Sequence, residues 1–112
     1  MRIWDISPSK LCREHLLGEH RELHAIWSIL TKNKKGYSKH PETLRWKGKL
    51  AAFYSLHEKL VKEMKRRGYT HRSSLDARLA RGAKVQTDFV DTKENQIKIL
   101  KRKKCGCKLD LF

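Results

Sequence analysis

No run in this chain approaches the roughly 18–20 consecutive apolar residues that a membrane-crossing helix needs. Its start, Met1-Arg2-Ile3-Trp4-Asp5, has no apolar stretch of the kind that marks a secretory signal. An intracellular, cytoplasmic protein is therefore expected. Cysteine is scarce and odd in number, with three residues, Cys12, Cys105 and Cys107, which does not suit a secreted disulfide framework. Cys105-Gly106-Cys107 lacks the two-residue gap and the second ligand pair of a zinc ribbon. No metal is expected there, and the pair is read as reduced. There is no internal repeat, no glycine-rich phosphate loop and no GxSxG elbow, so the usual sequence marks of nucleotide hydrolases and serine hydrolases are missing.

Acidic residues are the minority charge. Lys and Arg total 27 against 12 Asp and Glu, a formal net charge of +15 in a chain of 112 residues. That is more than solubility requires and points to a polyanionic partner. The basic residues are spread along the chain and not gathered in one amphipathic segment, which favours nucleic acid over a membrane surface. The length allows one small domain, residues 1–112, with a single core. A monomer with no obligate protein partner is expected.

Helical periodicity runs through most of the sequence. Ser7-Pro8 supplies a capping residue and a proline at a first helical position, opening a helix expected from Pro8 to Leu30; the polar stretch from Thr31 to Gly36 ends it. Pro41 opens a second helical region through Leu44 and Trp46, broken or kinked at Gly48. From Leu50 the set Leu50, Phe53, Tyr54, His57, Leu60, Val61 and Met64 keeps the i, i+3, i+4, i+7 spacing of a buried helix face, and Gly68 supplies a stop. The stretch from Thr70 to Gln86 reads as loop with a short helix at Leu75 to Leu79. Asp91 and Glu94 have capping-box spacing before a last short helix that ends at Gly106. The fold class is all-α, a single compact domain of about three main helices.

Placing the first helix on a wheel of about 100° per residue puts Cys12, Leu16, Leu23, Ile26, Trp27 and Leu30 on one stripe, with Leu11 and Ile29 at its edge. Lys10, Arg13, Glu14, His20, Arg21, His24 and Ser28 point away. His15, Glu19 and Glu22 fall inside the stripe or at its margin, where an unpaired carboxylate costs several kcal/mol or takes up a proton. Two readings stand. Cations from other segments neutralise these acids as structural ion pairs, or the acids belong to an acid/base site. His57 occupies a core stripe in the same way. Trp4 and Trp46 are open to packing or to stacking on bases, whereas Trp27 lies on the core side.

The segment His15-Leu16-Leu17-Gly18-Glu19-His20-Arg21-Glu22-Leu23 resembles the first helix of the pyrimidine-dimer DNA glycosylases, the family of the phage endonuclease V. Met1-Arg2-Ile3-Trp4, Lys35-Gly36-Tyr37 followed by His40-Pro41, and then Tyr54, Glu63 and Arg67-Gly68-Tyr69 resemble bacterial members of that family in order and spacing. The resemblance implies a compact all-helical enzyme that needs no cofactor. Its N-terminal amine is the nucleophile, and a glutamate on the first helix assists.

Carried over position by position, the nucleophile falls on the amine of Met1 and the glutamate on Glu22. Residues expected at the DNA are Arg2, His15 and Arg21. An α-amino group suits this chemistry because its reference pKa of about 7.7–8.0 leaves a usable neutral fraction near pH 7, and Arg2 beside it pushes it lower. The implied reaction is excision of pyrimidine dimers from ultraviolet-damaged double-stranded DNA, followed by strand cleavage at the abasic site. Lys34, Lys35, Lys39, Lys47, Lys49, Lys65, Arg66 and Arg67 are further phosphate candidates. The chain departs from the phage pattern at Ala25, where a second arginine is missing, and in the basic stretch Lys101 to Cys107, which replaces an aromatic-rich tail. Those departures touch DNA grip and lesion preference. The alternative function is a non-catalytic helical nucleic-acid-binding protein. The resemblance also implies that the N-terminal residues lie across the two long helices, so that Met1 reaches Glu22.

Overall fold

A computed structural model describes residues 2–71, 74–103 and 106–107. Four α-helices follow one another, α1 (Arg13–Thr31), α2 (Pro41–Leu44), α3 (Leu50–Arg66) and α4 (Lys93–Arg102), with single 3₁₀ turns at Pro8–Lys10 and Ala77–Leu79. The fold is all-α. None of the described helices is long and apolar enough to cross a membrane.

α1 and α3 pack against each other along the faces their periodicity marks. Leu16, Leu23, Ile26 and Trp27 of α1 and Phe53, Leu60 and Met64 of α3 are buried in one core with Trp46, Ile97 and Leu100. α1 ends where Asn33 takes a left-handed conformation (φ 52°) and the Lys34 N–H reaches back to the Ile29 carbonyl at 3.1 Å. At the end of α3, Gly68 (φ 84°) performs the same turn, with the Tyr69 N–H bonded to the Met64 carbonyl at 2.9 Å. The missing side chain at Gly68 is what makes that reversal inexpensive.

The first helix differs from its expected span. Instead of running unbroken from Pro8, the chain makes one 3₁₀ turn at Pro8–Lys10, extends through Leu11 and Cys12, and starts α1 at Arg13. Arg67 at the end of α3 explains the break. Its guanidinium donates to the Leu11 carbonyl at 2.6 Å and to those of Pro8 and Ser9 at 3.3 Å, occupying acceptors that a continuous helix would bond to its own N–H groups. α4 also starts differently: its cap is Thr92, whose hydroxyl accepts the Asn95 N–H at 3.1 Å. The expected Asp91 instead holds the Thr92 N–H and the Asn95 amide.

α3 has no side-chain cap. The N–H groups of Ala51 and Ala52 are taken by the carbonyls of Arg81 (2.9 Å) and Ala83 (3.1 Å), so the expected loop from Thr70 to Gln86 does structural work at the helix start. Gly82 (φ 88°) passes so close to Gly48 that a Cβ there would sit 2.1 Å from the Gly48 oxygen.

The N-terminal residues are built into this core. Ile3, Trp4 and Ile6 are buried. The Trp4 N–H bonds to Glu19 of α1 at 2.5 Å, the Ile3 carbonyl accepts from Arg45 at 3.0 Å, and Asp5 exchanges bonds with Gln96 of α4 at 2.7 and 3.0 Å. The start of the chain thus lies between α1, the turn after α2, and α4, while α3 meets residues 8–11.

Candidate active site

Of the two acids on the inner side of α1, Glu19 is the one that is fully buried, and Glu22 is half-buried. Glu19 carries no ion pair among the described residues. Its Oε1 accepts the Trp4 N–H, and its Oε2 has no hydrogen-bond partner among the described residues. Burial, followed by the nearby acids Asp5 and Glu42, holds its carboxyl well above the usual range, against the opposing pull of the Trp4 N–H and Arg45. Glu42 is instead paired, with Arg45 at 2.5 Å; Arg45 also binds Asp5 at 3.0 Å.

Glu22, one turn on, lines a cleft of about 700 Å³. Ala25, Ser28 and Ile29 of α1 continue its floor, and Lys34, Tyr37 and His40 form the opposite wall. That wall is shaped by two local features. His40 caps α2, its Nδ1 accepting the Glu42 N–H at 3.1 Å, and Tyr37, in a left-handed conformation (φ 59°), stands 70% exposed with its ring 6.5 Å from that of His40. A carboxylate, a cation, an aromatic ring and an imidazole therefore converge on one open cleft, and the exposed Lys35 and Lys39 line an adjoining hollow that shares Tyr37 and His40.

The other expected site residues are distributed as follows. Met1 and Cys105 lie outside the described residues. Arg2 reaches Asp91 at 3.6 Å, with its guanidinium 5.0 Å from the centre of the Trp4 ring. Arg21 is exposed on the outer side of α1. His15 does not line the Glu22 cleft: its Nδ1 lies 3.0 Å from the Cys12 thiol and 3.7 Å from that of Cys107, and its ring meets Trp4 edge-on at 5.6 Å. Burial, then Lys103, lowers its pKa. Trp4 and Trp46, open in the sequence, are both buried, Trp46 stacked on Phe53 at 4.4 Å; this is packing. Of the phosphate candidates, Lys49 is bound to Asp88 and Gln86, Arg66 to Glu63, and Arg67 to Glu63 and the Pro8–Leu11 carbonyls. Lys34, Lys35, Lys39, Lys47 and Lys65 are exposed.

His20 and His24, assigned by the wheel to the outer side of α1, are half-buried. They face His57 of α3 and His71 beyond it, making a cluster of four imidazoles with ligand atoms all within 4.8 Å of one another. Burial, then the neighbouring histidines, keeps His20 largely uncharged, with its pKa lowered to about 4, and lowers that of His24. The i, i+4 spacing of His20 and His24 was the sequence signal for this group. The ligand atoms of a second group, Cys12, His15 and Cys107, also lie within 4.8 Å of one another.

A model of the pyrimidine dimer DNA glycosylase family matches residues 1–77 of the chain, a span that includes the N-terminal segment, α1, the cleft and α3. No curated protein and no solved structure matches it.

Proposed function

This chain belongs to the pyrimidine dimer DNA glycosylase family, and on that premise we propose that the amine of Met1 and the carboxylate of Glu22 excise the lesion through an imine and then cut the strand. Glu22 in a cleft with Lys34, Tyr37 and His40 is the observation that carries this reading. A second geometric fact supports it. Trp4 is fixed to Glu19, and the three residues from Trp4 back to the first amine span at most roughly 10 Å. Glu22 follows Glu19 by one turn, so their Cβ atoms stand about 5–6 Å apart. Those lengths are compatible with an amine that meets Glu22.

The neutral amine attacks the sugar carbon that bears the damaged base. The glycosidic bond breaks, the base departs with its electron pair, and the sugar ring opens to leave an imine. Loss of a proton from the adjacent carbon then expels the 3′ phosphate, and hydrolysis of the imine frees the enzyme. Glu22 stabilises the cationic sugar and imine and moves the proton in the elimination. Arg21 and the exposed lysines 34, 35 and 39 contact phosphate, whereas Arg2 and His15 would first leave their present partners to do so. Bending of the duplex and exposure of a nucleotide are required, since the sugar carbon is shielded in an intact stack. The whole 1–112 chain acts as one unit in this reading, with Gln96, Ile97 and Leu100 of α4 completing the core around the N-terminal segment.

Borohydride reduction in the presence of ultraviolet-damaged or abasic duplex tests the proposal. A covalent protein–DNA adduct is expected, and an N-terminal extension that blocks the amine should abolish it. Salt-dependent binding with no adduct on either substrate would favour the non-catalytic binding module.

A further inference from the structure

We propose that His20, His24, His57 and His71 bind one divalent transition-metal ion, zinc being the best fit, and that this ion ties α1, α3 and the segment after Gly68 together. The inference does not depend on the imine reading. It replaces the expectation that the chain uses no metal.

Three nitrogens carry the argument. The Nε2 atoms of His20 and His24 are 3.2 Å apart, those of His24 and His57 3.1 Å, and those of His20 and His57 3.3 Å. A zinc ion with Zn–N bonds of about 2.0–2.1 Å in tetrahedral geometry holds its ligand nitrogens about 3.3–3.4 Å apart, so the observed triangle is close to one face of such a tetrahedron. His71 supplies a fourth imidazole, its ring centre 4.9 Å from that of His20 and 5.2 Å from that of His57.

Hydrogen bonding alone accounts poorly for this triangle. His57 Nδ1 sits 3.0 Å from a Glu58 carboxylate oxygen, which makes Nδ1 the protonated nitrogen and leaves Nε2 with a bare lone pair. One lone pair accepts one good hydrogen bond. Whichever of His20 and His24 donates to it, the remaining pairs still bring lone pair against lone pair, or N–H against N–H, at hydrogen-bond distance. A cation at the centre satisfies every nitrogen at once. The carboxylate behind His57 is the partner that orients histidine ligands in many metal sites. Imidazole donors suit zinc, copper, nickel and iron, and the triangle of Nε2 atoms, matching one face of a tetrahedron, favours zinc. A complete set of four protein ligands leaves no position for substrate, which makes the ion structural. Its place is nonetheless close to the cleft, because His24 is also among the residues lining the cleft that holds Glu22.

The test is metal titration of the full-length chain after treatment with chelator. Zn²⁺ is expected to bind with one equivalent at this site and to raise the melting temperature, and Co²⁺ to give the intense visible bands of a tetrahedral complex. His24→Gln and His71→Gln should weaken binding by at least about 100-fold. Glu58→Gln, a change at a largely exposed side chain that leaves the fold intact, should weaken it by about 10–100-fold. Circular dichroism confirms that each variant is folded. Cys12→Ser and Cys107→Ser must leave the bands in place, because the other thiol–imidazole group is the competing location. Bands lost with the cysteines and kept in the histidine variants would overturn the proposal, as would Co²⁺ and Zn²⁺ affinities that none of the histidine or Glu58 changes alters.

Discussion

The main-chain N–H of Trp4 donates to the Oε1 of Glu19 across 2.5 Å, so the start of the chain is held by a buried carboxyl on α1 rather than by the edge of a sheet or a disulfide. This bond brings the first residues beside the helix that carries Glu22. Glu19 therefore anchors the N-terminal segment, and Glu22 is the acid that faces the cleft.

Replacing Glu19 separates its two properties. Glu19→Leu leaves the Trp4 N–H buried without an acceptor and is expected to cost about 1–3 kcal/mol in denaturant unfolding. Glu19→Gln keeps the acceptor and removes the ionisable group. Below the ordinary value of 4.5 both the folded and unfolded carboxyl hold a proton; above it, up to the raised folded value, only the folded chain does. The contribution of Glu19 to stability must therefore fall as pH rises through that window and level off above it. Melting curves across pH should show this slope in the native chain and its loss in Glu19→Gln.

Glu63 works in the opposite direction. Its carboxylate lies between Arg66 and Arg67, and hydrogen bonding to Arg66 is the leading cause of a pKa lowered to about 2. Its contribution is complete above the ordinary carboxylate range and is lost as pH falls from about 4.5 towards about 2. Glu63→Gln should flatten the acid limb of the stability profile. Within the same trio, Arg66→Lys is expected to leave stability nearly unchanged, because Arg66 is an exposed partner. Arg67→Lys should cost about 1–3 kcal/mol, because lysine cannot reproduce the fork that binds Glu63 and three carbonyls at once.

At Gly82 the left-handed backbone and the contact with Gly48 coincide. Gly82→Ala drives a Cβ into the Gly48 oxygen and disturbs the carbonyls that cap α3, and a loss of about 2–4 kcal/mol is expected. Gly106→Ala, with a similar φ of 87° but open space around it, should cost about 1–2 kcal/mol. Equal effects from the two would show that φ alone, and not the contact, decides.

Arg21 is exposed and without an ion pair among the described residues. Arg21→Ala should weaken DNA binding to a similar degree across sequences and reduce the slope of log affinity against log salt by about 1. Arg67→Ala should perturb stability before it perturbs that slope.

Helix spacing made α1 and α3 legible because one face of each carries apolar residues at nearly every buried position, and Gly68 marked an end that only a left-handed turn can make. The broken start of α1 was not legible, since it depends on Arg67, which is 56 residues from Leu11 in sequence and reaches it only in the folded state. The wheel also misjudged His20 and His24. A wheel separates core from surface by one helix alone, and here α3 covers the second side with His57. Trp46 was ambiguous for the same reason: Phe53, its stacking partner, follows the Gly48 turn. For the site, the stretch from His15 to Leu23 and the pieces Lys35-Gly36-Tyr37 and His40-Pro41 were visible, but the meeting of Glu22 with Gly36, Tyr37 and His40 in one cleft rests on a loop conformation, positive φ at Asn33 and Tyr37, that no spacing rule foretells.

The most direct test of the account is borohydride trapping on abasic and ultraviolet-damaged duplexes, followed by peptide mapping of the adduct in the native chain and in Glu22→Gln. An adduct on the α-amine of Met1 in the native chain, with Glu22→Gln retaining duplex affinity but losing turnover, is the expected result. An adduct on a lysine side chain, or Glu22→Gln turning over at the native rate, would contradict it.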